Sequence, residues 1–93
     1  MREDATYRAE FERTSAYEKT ARAVIALREV RGLTQEHLAE MIGTTASAIS
    51  RLESGEHSPN LETLRKIANA CGGHLRLRFD VPGRRSHELV ATL

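Results

Sequence analysis

The chain has 93 residues, a mass of 10.4 kDa and a formal net charge of +1, with 40% hydrophobic and 29% charged residues. That is one small domain with short extensions, and so balanced a charge neither announces nor excludes a nucleic-acid partner. The longest apolar run, Ala23 to Leu27, is far shorter than the ~20 residues of a membrane-spanning helix. Met1-Arg2-Glu3-Asp4 is not followed by the apolar stretch of a secretory signal. A single cysteine, Cys71, permits no internal disulfide and no cysteine-rich metal site. These features lead us to expect a cytoplasmic protein with no cofactor.

Residues 1–15 are mostly polar, carry Tyr7 and Phe11, and form a candidate arm. Residues 16–72 carry dense helical periodicity. Ser15-Ala16-Tyr17-Glu18 has the form of a capping box, predicting a helix that ends before Gly32. Thr34 is a natural N-cap for a second helix, Gln35 to Ile42, with Leu38, Ala39 and Ile42 turned inward. Gly43 falls where a left-handed C-cap is needed. Thr44 and Thr45 precede a third helix from about Ala46 to Ser54, which turns Ile49 and Leu52 inward, and Gly55 stops it. Asn60 caps a fourth helix whose Leu61, Leu64, Ile67, Ala68 and Cys71 share one face, and Gly72-Gly73 ends it. The expected core is Leu33, Leu38, Ile42, Ile49, Leu52, Leu61, Leu64 and Ile67, with Cys71 as a buried small hydrophobe.

His74-Leu75-Arg76-Leu77-Arg78-Phe79-Asp80 then alternates with the period of a half-buried strand, within a segment spanning residues 73–81. No second alternating segment stands out, and a lone strand leaves its backbone groups unpaired. Pairing with the same strand of a second copy around a two-fold axis is the simplest remedy. Leu75, Leu77 and Phe79 are thus candidate dimerisation residues, and residues 82–93 are left as a tail. The expected architecture is mainly α, a bundle of four to five helices with a C-terminal β-strand paired across a dimer.

The third helix presents Thr45, Ala46, Ser47, Ser50 and Arg51 outward. All but Arg51 are short, so such a helix enters a DNA major groove, about 12 Å wide, without obstruction. Leu33-Thr34-Gln35, Leu38-Ala39, Gly43, Ile49-Ser50, Leu52-Glu53-Ser54-Gly55 and Pro59 resemble the helix-turn-helix pattern of the phage-repressor family (XRE, or Cro/C1) over about residues 20–72. The resemblance implies that the second helix of the pair enters the major groove while the first crosses the phosphate backbone. It places Gln35 at a phosphate and Thr45, Ala46, Ser47, Ser50 and Arg51 at base edges. Arg51 suits guanine O6 and N7, and Ala46 or the Thr45 methyl suits a thymine methyl. Thr44, His57 and Ser58 are candidate phosphate contacts, which position without reading sequence. Arg28, which at first sight is a further DNA contact, pairs with Glu53 by the same resemblance.

Charge argues the other way. Between Gly32 and Asn60 there is one arginine, Arg51, against Glu36, Glu40, Glu53 and Glu56. Positive charge must then come from the flanks, at Arg22, Arg31, Arg65, Lys66, Arg84 and Arg85, and tight binding from two copies on half-sites roughly 34 Å apart. Tyr7, Phe11 and Tyr17 precede the reading unit among Glu3, Asp4, Glu10 and Glu12. They either pack back on the domain or anchor a partner. This layout of arm, helix-turn-helix and terminal strand resembles the HigA-type antitoxins of toxin–antitoxin systems. That likeness implies a small, basic ribonuclease toxin as partner and repression of the protein's own operon. The alternative is a free-standing XRE-type regulator. The dispersed histidines have no ligand spacing, and neither a nucleophile–base grouping nor a phosphate-cradling loop points to an enzyme.

Overall fold

The computed structural model describes residues 4–83 and 90–93, with side-chain surroundings from Ala16 onward. Four helices are followed by a small hairpin: α1 (Asp4–Val30), α2 (Gln35–Ile42), α3 (Ala46–Glu53), α4 (Leu61–Ala70), β1 (Arg76–Arg78) and β2 (Val90–Thr92). The core is built where α1, α2, α3 and α4 converge. Val24, Leu38, Ala39, Ile49, Ile67 and Cys71 are buried there, with Leu27, Leu33, Ile42, Leu52 and Leu64 packed around them. Leu38, Ile49 and Ile67 are the largest side chains to be fully enclosed.

Local chemistry sets the helix ends. Thr34, Thr45 and Asn60 sit in extended conformation ahead of α2, α3 and α4, and each accepts hydrogen bonds from amides of the first turn. Gly43 ends α2 in the left-handed region, at φ 75°, and donates its N–H back to Ala39 and Glu40.

Three expectations are corrected. The first helix does not begin at Ser15: α1 runs 27 residues without a break from Asp4. Ala5, Arg8, Ala9, Glu10, Glu12 and Arg13 favour helix, and neither glycine nor proline interrupts them, so a capping-box spelling inside the run stops nothing. The terminal strand has a partner in its own chain. β1 pairs antiparallel with β2, with Leu77 opposite Ala91, so residues 82–93 are not simply a tail. The second strand is three residues long, too short for alternation to announce it. Leu61, assigned to the core, is 51% exposed. It opens α4 immediately after the cap, where the chain has not yet turned fully onto the core. Leu75 is half-buried, while Leu77 and Phe79 remain exposed. None of the described helices is long and apolar enough to cross a membrane.

Cys71 is 4% exposed. Burial pushes its thiol above the usual value, opposed in part by the charge of Arg31. An unfolded chain ionises this thiol first, so the native state is expected to lose stability as pH rises past the ordinary thiol range and to lose none of it below. At about pH 8, a thiol reagent should modify native Cys71 far more slowly than the denatured chain. Equal rates would contradict its enclosure.

Candidate nucleic-acid interface

α2 and α3 are joined by the tight turn at Gly43, Thr44 and Thr45, with the Thr44 N–H bonded to the Ala39 carbonyl at 2.9 Å. Ala39 is 3% exposed at the contact between α2 and its neighbours, and a longer side chain there would push α2 off its neighbours. Beneath α3, Ile49 is 1% exposed, so α3 is fixed from its inner side. Thr45 Oγ1 accepts from the Ala48 amide at 3.1 Å, and Ser54 Oγ donates to the Arg51 carbonyl at 2.7 Å. Both ends of this short helix are thereby held.

The outward side of α3 carries the expected residues. Thr44, Thr45, Ser47, Ser50 and Arg51 are exposed, and Ala46 is half-buried at the first turn. Beside them lies a shallow hollow of about 240 Å³, bounded by Thr44, Ala48, Arg51, His57, Ser58 and Asn60. Arg51 therefore shares one surface with His57 and Ser58, the two loop residues assigned to phosphates. Ala48, exposed one turn before Arg51 on this wall, was missed by sequence reasoning. The three-residue step from Arg51 was the signal that could have found it.

A partly buried ion pair holds α3 to α1. Arg28 Nε donates to Glu53 Oε2 at 2.7 Å, Nη2 to Oε1 at 3.0 Å, and Nη1 to the Leu33 carbonyl at 2.9 Å. The two side chains are only 14% and 6% exposed. The hydrogen bond to Glu53, more than its charge, holds the Arg28 guanidinium above its ordinary value. Gln35 joins the same network, its Nε2 donating to Glu53 Oε1 at 2.9 Å. One of its amide hydrogens, expected at a phosphate, is thus engaged within the protein.

The electrostatic balance changes accordingly. Arg28 neutralises Glu53, so the reading unit is less acidic than its composition suggests. One flanking cation is engaged within the chain: Arg65 is bound to Glu62 at 2.6 Å. Arg31 lies near Gly72 at the end of α4 and stays exposed. The Arg65 contact also holds the Glu62 carboxyl below its usual value. Tyr17 is half-buried. Tyr7 and Phe11 fall four positions apart on α1, but their side chains lie outside the described residues, as do Arg84 and Arg85.

The family description "Helix-turn-helix" (HTH_3) matches residues 24–77, more than half of the chain. The chain belongs to the HTH_3 helix-turn-helix family. An uncharacterized HTH-type transcriptional regulator of Methanothermobacter thermautotrophicus is 49% identical over 45 residues, 48% of this chain and 65% of the relative. The regulator PuuR of Escherichia coli is 39% identical over 56 residues, 60% of this chain and 30% of the relative. Antitoxin HigA1 of Mycobacterium tuberculosis is 30% identical over 79 residues, 85% of this chain and 53% of the relative. The chain thus spans between 30% and 65% of the lengths of these relatives. An HTH_3 transcriptional regulator from Vibrio cholerae superposes with a TM-score of 0.61 at 30% identity, covering 66% of this chain and 34% of that one. The α1–α4 architecture is therefore a helix-turn-helix fold, and the family is one of DNA-binding transcriptional regulators.

Proposed function

We propose that this HTH_3 protein is a sequence-specific repressor that binds double-stranded operator DNA as a homodimer and serves as the antitoxin of a small, basic ribonuclease toxin. The observation that carries the DNA reading is α3 itself. Its inner face is locked by Ile49 and Glu53, and its outer face offers short polar groups with Arg51 at the edge. In this reading Thr45, Ala46, Ser47, Ser50 and Arg51 meet base edges, while Thr44, His57 and Ser58 meet phosphates. Gln35 keeps a second amide hydrogen for the phosphate nearest α2, alongside the unpaired amides of the first helical turn.

The antitoxin reading is supported by the reach of the HigA1 match. Its 79 residues exceed the 24–77 span of the helix-turn-helix itself, so the likeness extends into the ends of the chain. Tyr7 and Phe11 would supply apolar anchors there, with Tyr17 at their base, and Glu10 and Glu12 complement a basic partner. In this reading the protein works within the cytoplasm.

One experiment tests both halves. Full-length protein and a chain lacking residues 1–15 are compared for protection of the protein's own promoter and for co-purification with the product of the adjacent gene. The truncation is expected to abolish partner capture and leave the footprint in place. A full-length protein that protects no promoter segment in low salt overturns the repressor reading. A footprint without any captured ribonuclease leaves a free-standing regulator and sinks the antitoxin reading.

A further inference from the structure

Two features of the molecule lie outside the proposed reading face. One is an apolar cleft of about 170 Å³ between α1 and α4, walled by Ala23, Val24, Leu27, Leu64 and Leu75. The other is Phe79, the one aromatic residue beyond Tyr17, which stands 65% exposed. Leu75 and Phe79 are four residues apart on one side of an alternating segment. About 13 Å of extended chain therefore separates Phe79 from the cleft that its own Leu75 lines.

The hairpin shows which edge is open. The Leu93 N–H donates to the Leu75 carbonyl at 2.8 Å, and Leu77 stands opposite Ala91. In an antiparallel ladder, residues that bond to the neighbouring strand alternate with residues whose backbone groups point away from it. Leu75 and Leu77 therefore bond toward β2, and the N–H and C=O groups of Arg76 and Arg78 point along the free edge of β1.

We propose that this edge pairs with the same edge of a second copy, antiparallel and centred on Leu77, with each Phe79 seated in the cleft of the other copy. The proposal rests on the two-copy reading above and names what holds the copies together. Outward groups on both edges are satisfied together only in registers centred on Arg76, Leu77 or Arg78. Of these, the register centred on Leu77 alone sets Phe79 opposite Leu75 of the second copy, at the mouth of its cleft. The apolar sides of both strands then form one continuous surface against both helical bundles. Arg76 meets Arg78 of the second copy in this register. Asp80, 2.9 Å from Arg78, lies diagonally across and offsets the two positive charges. Knob and hole belong to the same chain, so a two-fold arrangement fills both clefts and closes without a free β1 edge. That self-complementarity is why the occupant is a second copy.

The sequence contains no tryptophan, so Phe79→Trp installs a single indole at the proposed knob. Its mass by light scattering and its emission are followed through a dilution series without DNA. A dimer with blue-shifted emission is expected, with both signals lost together on dilution. Ala23→Glu, placed at an exposed helical position on the cleft wall, should raise the dissociation constant at least tenfold with helical circular dichroism unchanged. Phe79→Ser, which removes an exposed side chain and leaves the core intact, should do the same. A monomer throughout the series overturns the proposal, and so does a dimer whose indole emits as if in water. Dimers untouched by Phe79→Ser overturn it as well. Because DNA is absent, failure to read an operator moves none of these readouts.

Discussion

Arg51→Ala is expected to weaken binding to the operator by roughly 5- to 150-fold and to relax base preference at one position, the worth of a bidentate guanine contact. Arg51 is exposed and its side chain has no hydrogen-bond or ion-pair partner among the described residues. Its loss should therefore change stability by less than about 0.5 kcal/mol. Combining the two measurements isolates reading from folding. Competition binding against operators substituted one base pair at a time supplies the first, and urea denaturation the second. An unchanged specificity profile would remove α3 from the base edges.

Arg28→Ala is expected to have the largest effect on the fold. The Glu53 carboxylate, 6% exposed, would keep its Gln35 bond but lose both guanidinium bonds and the countercharge. Stranding a largely enclosed carboxylate that keeps one hydrogen bond costs about 2 kcal/mol. In a domain of this size that lowers Tm by roughly 8 °C or more. The paired change Arg28→Met with Glu53→Leu should recover most of the loss, because no unpaired charge remains. Thermal melts of the single and double variants check this. If the single variant melts within a degree or two of the parent, the ion pair does not hold α3 in place. The single variant should also bind operator more weakly, since α3 loses its tie to α1.

The helix-turn-helix was legible because its instructions are local. Thr34, Thr45 and Asn60 cap the helices they precede, Gly43 takes the left-handed turn, and Leu38, Ile49 and Ile67 each lie on the apolar side of their own helix and are buried together. The Arg28–Glu53 pair joins residues 25 apart. No periodicity announces it, and it came from family resemblance. What the sequence concealed was of two kinds. The continuation of α1 through Ser15 depends on the lack of a stop signal, to which a capping-box pattern is blind. The hairpin depends on Val90–Thr92, whose three residues take their conformation from pairing with Arg76–Arg78. Charge tallies also misled. Glu53 and Arg65 count toward the net charge but are engaged in ion pairs within the chain, which a count of charges does not register.

Gly55 follows α3 in the left-handed region, at φ 75°, and a Cβ there would lie 3.2 Å from the Glu18 Cα. At this point the two main chains come close, with the Glu18 Cγ also 3.2 Å from that position. The spacing between α1 and the end of α3 is bounded by this close approach as well as by the packing beneath Ile49 and the Arg28–Glu53 pair. A residue with a Cβ at position 55 would press on α1 and would also carry the strain of a left-handed backbone, so it would shift the end of α3 slightly.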